Sequence, residues 1–330
     1  MIKPPLYFPA MRRRAGGVSL VELMVALVIG LLLVFGAVTV YTQSRNTYRT
    51  NETAARLQEV ARYALSVIET DVRLAGYWGL VNVPFDINNK ARPTEAAATV
   101  DQAVSDNCGT NFTVDADHFV DGRNGEYDLE CDIGDADFAA VDGADVLIVR
   151  RANTDAFTGV TPAADRIYVV TSRTDGDFYL GSDVPADLVP EKTEVRELFV
   201  HAYYVAERIG PDGLTQFSLR RQRLGAGPTF VDEEVIPGVQ DLQVQFGVDT
   251  DGDAQADVYV NPDEVGNDDL VTSARIWLLI ISETIEVGFE NDAEFAYADV
   301  DHGSFNDNRR RLLVSKTIQI RNSRLPPATT

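Results

Sequence analysis

Three scarcities bound what this chain of 330 residues can be. Cysteine occurs only at Cys108 and Cys131 and histidine only at His118, His201 and His302, with no CxxC pair and no zinc-like spacing among them. Zinc sites and dithiol redox chemistry are thereby excluded. The chain also lacks G-x-S-x-G, H-E-x-x-H and G-x-x-x-x-G-K-[ST], and no histidine has neighbours that suggest a triad. Catalysis is not expected, and the remote alternative is an envelope enzyme that assembles scattered carboxylates on an N-terminal anchor. Positive charge is the third scarcity: 29 bases face 51 acids, for a formal charge of −22. Four of those bases, Lys3, Arg12, Arg13 and Arg14, lie in Met1 to Gly17, which holds no acid, and without that stretch 25 bases face 51 acids, a net of −26. A surface this acidic repels phosphate, so nucleic acid is not expected as a partner.

What the chain does have is a long apolar run. Val18 to Tyr41 holds 24 residues with one charge, Glu22, and as a helix it spans about 36 Å, enough to cross a bilayer. An ordinary secretory signal ends in small residues after its apolar core; here Ala15, Gly16 and Gly17 come before it. The arginines at 12 to 14 hold that end in the cytoplasm and send everything after Tyr41 outward. From Ala54 the apolar positions Leu57, Ala61, Ala64, Ile68, Val72 and Ala75 recur at threes and fours, which predicts that the helix continues to about Ala75 and covers a globular head, with Gly76 as its stop. Helix from Val18 to Ala75 would be about 87 Å long.

RRRAGG followed by VSLVELMVAL resembles the leader of type IV prepilins and of type II secretion pseudopilins. The resemblance implies that a prepilin peptidase cuts between Gly17 and Val18 and that Val18 becomes the methylated N-terminus. Phenylalanine is usual at that position, so Val18 is a departure. Glu22 then matches the family's glutamate at the fifth mature position, which pairs with the N-terminal ammonium of a neighbouring subunit. Its residues alone support a second role: Ser19 and Glu22 fit the S-x-x-E capping box, and a carboxylate in the first turn complements the helix dipole.

Strand-like runs follow at Ala144 to Arg150, Arg166 to Ser172, Val195 to Ala206, Gln216 to Arg223, Val239 to Val248, Ser273 to Ser282 and Leu312 to Arg321. In the fifth run Gln240, Leu242, Val244 and Phe246 share one phase and Asp241, Gln243 and Gln245 the other, which predicts a strand with one wet face. The expected fold is α+β, a long N-terminal helix packed on an antiparallel sheet. The expected divisions are a cleaved leader (1–17), a transmembrane half-helix (18–41), an amphipathic half-helix (42–76), a loop-rich disulfide region (77–142) and a β-rich periplasmic head (143–330). DVRLAGYWG at Asp71 to Gly79, VQDLQVQFGVDTDGDAQAD at Val239 to Asp257, SARIWLLIIS at Ser273 to Ser282 and RRRLLVSKTIQIRN at Arg309 to Asn322 resemble segments of PilW-type minor pilins. That resemblance implies a subunit of the inner membrane and then of the pilus, which primes assembly with other minor pilins and the major pilin beneath a tip adhesin. A pseudopilin at the tip of a secretion piston is the alternative.

Two further groups carry expectations. In an exported chain Cys108 and Cys131 are expected to form a disulfide worth roughly 3 kcal/mol, the alternative being two free thiols. No cofactor is required, but Asp249, Asp251, Asp253 and Asp257 imitate the opening of a calcium loop, although Ala254 and Val260 stand where an EF-hand needs Gly and Glu. The alternative is a polar hairpin turning at Asp251-Gly252. Asp299, Asp301 and Asp307 are a second, sparser acidic group.

Overall fold

The structure, a computed structural model, describes residues 17–81, 87–88, 105–134, 136–157, 161–189 and 191–323. The leader arginines and most of 82–104 lie outside the described residues. Helix α1 (Leu20–Leu74) is one element of 55 residues, and the fold is α+β as expected. Chain contacts divide the molecule into two units, Met1–Ala54 and Ala55–Thr330.

In the first unit α1 exposes its apolar side chains from Leu20 to Tyr41. In the second unit Leu57, Ala61, Ala64, Ile68 and Val72 of α1 are buried in the main core. Each large aliphatic side chain buried in this way contributes about 1.5–3 kcal/mol. The helix ends at Leu74, and Gly76 (φ +70°) turns the chain away with its backbone against the Phe119 ring. A Cβ at position 76 would sit 3.0 Å from that ring, so glycine is required twice over.

Strands follow in chain order: β1 (Ile87–Asn88), β2 (Ser105–Asp106), β3 (Gly109–Thr110), β4 (Val120–Arg123), β5 (Ala139–Ala140), β6 (Val146–Ala152), β7 (Ile167–Thr171) and β8 (Gly176–Leu180). Next come β9 (Glu194–Ile209), β10 (Thr215–Leu224), β11 (Phe230–Pro237), β12 (Val239–Asp249), β13 (Val258–Val260) and β14 (Leu270–Ile281). The last are β15 (Glu294–Tyr297), β16 (Val300–Ser304) and β17 (Arg311–Gln319). Among the described residues the larger sheet runs β1-β8-β7-β9-β10-β11, with β4 on β6 and both β5 and β6 on β9. A second sheet runs β13-β12-β14-β17, and β15 pairs with β16. Pairing is antiparallel except for the short β1–β8 contact. Residues of α1 and of both sheets meet in one core, which takes in Ile68, Ile148, Tyr203, Leu242 and Ile276.

The wet face expected on β12 is not wet. Asp241 and Gln243 are buried: Tyr297 OH of β15 donates to Asp241 Oδ2 at 2.6 Å, His302 Nε2 of β16 lies 3.1 Å from the same oxygen, and Gln243 Nε2 donates to the Gly143 carbonyl at 2.7 Å. Polar side chains had marked that face as exposed, but partners arriving from more than fifty residues away meet the Asp241 carboxylate and the Gln243 amide N–H inside. The region 105–142 supplies the short β2 to β5 and the buried Phe112, Val114 and Phe119 between its loops.

Candidate functional site

The start of α1 is built by its own sequence. Ser19 stands before the first helical turn, and its Oγ accepts the Glu22 N–H at 3.2 Å while its carbonyl accepts Leu23 N–H at 3.1 Å. Ser19 is therefore the N-cap. Gly17 and Val18 precede it in an irregular, exposed segment, the form in which a peptide bond can enter a peptidase. The Glu22 carboxylate forms no hydrogen bond or ion pair with any other described residue. One exposed carboxylate in the first turn thus precedes five turns of exposed apolar side chains. The helix is long and apolar enough to cross a membrane.

A disulfide joins Cys108 to Cys131, with Cα atoms 4.1 Å apart and both residues buried. Tyr127 OH donates to the Cys131 carbonyl at 2.9 Å, and Gln222 Nε2 reaches Tyr127 OH at 3.1 Å, which ties the disulfide region to β10.

The acidic loop between β12 and β13 is a polar turn. Carboxylate oxygens of Asp249, Asp251 and Asp257 lie within 4.8 Å of one another, and Asp253 stands outside that group. Asp249 accepts backbone N–H groups of Asp251 (3.2 Å), Gly252 (2.7 Å) and Ala254 (2.7 Å), while Asp257 Oδ2 accepts Thr250 N–H (2.8 Å) and Oγ1–H (2.7 Å). Burial opposes charge on Asp249, but those backbone donors together outweigh it and hold its carboxylate below its ordinary pKa, and the Thr250 donors do the same for Asp257. Gly252 and Ala254, both at positive φ, carry the chain round. The sparser group is not assembled: Arg311 binds both oxygens of Asp307 (2.7 and 2.8 Å), and Asp299 accepts from Asn261 at 3.0 Å.

Sequence reading missed that every histidine faces an aspartate: His118 with Asp115 (2.9 Å), His302 with Asp241 (3.1 Å) and His201 with Asp71 (2.6 Å). Only the first pair, three residues apart, was within reach of a local pattern. The third lies at the centre of a buried cluster. Asp71 of α1 accepts from Arg151 Nε of β6 at 3.0 Å and pairs with its Nη2 at 2.8 Å, and its other oxygen accepts Tyr203 OH of β9 at 2.5 Å. Burial opposes charge on Asp71, but the hydrogen bonds of His201 and Tyr203 and the charge of Arg151 outweigh it and hold the carboxyl below its usual range. Burial lowers the His201 pKa, so a neutral imidazole donates Nδ1–H to an ionised Asp71. The cluster is buried, and its geometry clamps α1 onto two neighbouring strands.

The chain was compared with known proteins at three levels. No curated protein and no solved structure matches it. Residues 12–38 match the prokaryotic N-terminal methylation motif, which takes in Gly17, Val18, Ser19 and Glu22. Residues 202–322, from the middle of β9 through β17, match the family model of PilW, the type IV pilus-assembly protein W. With the long apolar helix and the antiparallel sheets, these two matches are consistent with a type IV minor pilin of the PilW family.

Proposed function

We propose that this chain is a minor pilin that primes type IV pilus assembly and sits in or near the pilus tip. A prepilin peptidase cuts after Gly17, Val18 is methylated, and the helix holds the protein in the inner membrane with its head in the periplasm. The chain then joins other minor pilins and the major pilin beneath a tip adhesin. The match to PilW in the head favours this reading over a secretion pseudopilin, which would share the leader and the glutamate. Both matched families point to a structural role rather than to an enzyme.

One observation carries the reading: Glu22 is a carboxylate with no hydrogen-bond or ion-pair partner among the described residues, at the head of an exposed apolar helix. A carboxylate in hydrocarbon costs about 2.5–3.5 kcal/mol at the bilayer centre. An ammonium at the N-terminus of a neighbouring helix would offset that cost, and leader removal is the step that creates the ammonium. The calcium expectation stays a lesser proposal of the same kind: Asp249, Asp251 and Asp257 would take a cation weakly, because their oxygens already accept backbone N–H groups.

Mass spectrometry of membrane-extracted protein is expected to find Val18 at the N-terminus, and an intact Met1 would sink the pilin reading. Glu22→Gln is expected to leave processed protein in the membrane and abolish pili, with Ser19→Ala, which spares the charge, as a mild control. Normal piliation by Glu22→Gln, with wild-type protein absent, would refute the intersubunit role.

A further inference from the structure

Short length, bulges, charge and proline are the devices that keep an open sheet edge from pairing with another chain, and most open strands of this head carry one or more of them. β1 and β5 hold two residues each, β13 three and β4 four. β15 and β16 hold four and five, with a slip in their register. β11 is longer, with eight residues, but its pairing with β10 slips at Leu219/Arg220, it carries Asp232, Glu233 and Glu234, and it ends in Pro237. Asn107 also takes the Phe230 N–H at its start, at 2.6 Å. β17 is different: nine residues run from Arg311 to Gln319 in unbroken register with β14, without proline or acid. Its two charged side chains pair within the chain, Arg311 with Asp307 and Lys316 with Glu69 of α1.

The ladder fixes which backbone groups are free. Ser282 N–H donates to the Arg310 carbonyl at 2.8 Å and Ile320 N–H to the Thr272 carbonyl at 2.9 Å, both in the register of β14 and β17. Bonded and non-bonded pairs alternate in an antiparallel ladder, so Leu312, Val314, Lys316 and Ile318 turn their backbone groups to β14, whereas Leu313, Ser315, Thr317 and Gln319 turn theirs to the open side. Arg321 continues that outward series, and its N–H meets the Arg73 carbonyl of α1 at 3.4 Å. Among the described residues nothing bonds the backbone groups of the other four. They present a donor and an acceptor about every 7 Å, the repeat of an extended strand. We propose that the open edge of β17 pairs with an extended strand of a different pilus subunit, which adds a fifth strand to the second sheet. A second copy of this chain is disfavoured, because beyond the leader 25 bases face 51 acids and two such heads repel. Leu312 and Val314 are partly buried against the main core, so the added strand carries apolar residues at the alternate positions beside them. This inference rests on the pilin reading and names the surface on which the head meets another subunit.

Residue-resolved hydrogen exchange tests it, on the full chain solubilised alone and on its assembly with other pilins extracted from the membrane of a piliating strain. Alone, the amides of Leu313, Ser315, Thr317 and Gln319 are expected to exchange freely beside protected even-numbered neighbours; in the assembly they should slow by about a hundredfold. Ser315→Pro removes one outward N–H where an edge strand tolerates proline, so the melting point of the solubilised chain should hold while recovery of other pilins with it falls about tenfold. Undiminished recovery with folded Ser315→Pro would overturn the pairing; if that variant does not fold, exchange in the unsubstituted protein decides. Free exchange at all four amides, in an assembly that holds this chain with Val18 at its N-terminus, would overturn the edge pairing and spare the pilin reading. Protection already present in the chain alone, from its own residues or a second copy, would do the same. A chain that still begins at Met1 and brings no other pilin with it would overturn both together.

Discussion

Glu22 and Asp71 are carboxylates on the same helix, each set among apolar residues, and the chain treats them in opposite ways. Asp71 is buried and receives Arg151, His201 and Tyr203 from two strands, whereas Glu22 is exposed and has no such partner among the described residues. The apolar neighbours follow suit: Ile68 and Val72 are fully covered, while Leu20 to Val40 are bare. An acid whose partners lie inside the chain stabilises the fold, and an acid without them is open to the intersubunit contact proposed for Glu22. The two ends of α1 are therefore predicted to separate stability from assembly.

The largest effect on stability is expected at Asp71. Asp71→Ala leaves Arg151 buried without its acid, a loss of about 3–5 kcal/mol for a broken buried pair. Denaturant unfolding of the detergent-solubilised full chain measures it, and a loss below about 1 kcal/mol would show that α1 is held by apolar packing alone. The disulfide comes next. Cys108→Ser/Cys131→Ser opens a loop with a sequence separation of 23, worth roughly 3 kcal/mol in the chain-entropy model. Hydrogen exchange should rise in 105–134 while the buried face of α1 stays protected; equal loosening of Ile68 and Val72 would make the disulfide part of the clamp.

Much of this was legible in the sequence. The threes and fours of Leu57 to Val72 announced the buried face of α1, and alternation marked the long strands to within a few residues, because both patterns are local and repeat. The clamp was not legible, since Asp71 and His201 are 130 positions apart and nothing near either one names the other. The buried face of β12 misled for the same reason: Asp241 reads as a surface residue until Tyr297 and His302 arrive to satisfy it. The leader was readable because its pattern is short and contiguous, the kind of signal that a family model also matches over residues 12–38.

A smaller effect tests the histidine pairs by pH. The hydrogen bond to Asp115, with the charges of Asp115 and Asp121, raises the His118 pKa against the opposing effects of burial and Arg150. A raised histidine contributes stability below its unfolded pKa of about 6.5 and loses it as pH climbs through the higher folded value. Asp115 is lowered, so its own contribution is lost only as pH falls below the ordinary carboxylate range, outside this window. Wild type minus His118→Ala should therefore shrink by about 1 kcal/mol on going from about pH 6 to pH 8.5. His201 is lowered and shifts stability the other way, but it is present in both proteins and cancels in the difference. A difference that is flat across the window would mean that His118 stays neutral.

The smallest effect on stability is expected at Glu22, where the comparison is sharpest. Its carboxylate forms no hydrogen bond or ion pair with another described residue, and Glu22→Gln keeps the backbone N–H that Ser19 caps. What is lost locally is one charge near the helix N-terminus, worth about 0.3–1 kcal/mol when exposed, and that loss is confined to the first turn. Thermal unfolding of the head, read from the near-ultraviolet signal of the buried Trp78, should therefore be unchanged in the solubilised full chain. The same substitution is expected to remove pili, because the neighbour's ammonium would then stand unpaired in a dehydrated helical core. Asp71→Asn is the reciprocal control: a lowered melting point, with the protein that remains folded still able to assemble. If Glu22→Gln instead lowered the melting point as Asp71→Asn does, Glu22 would have a partner within its own chain, and the division between the two ends of α1 would fail.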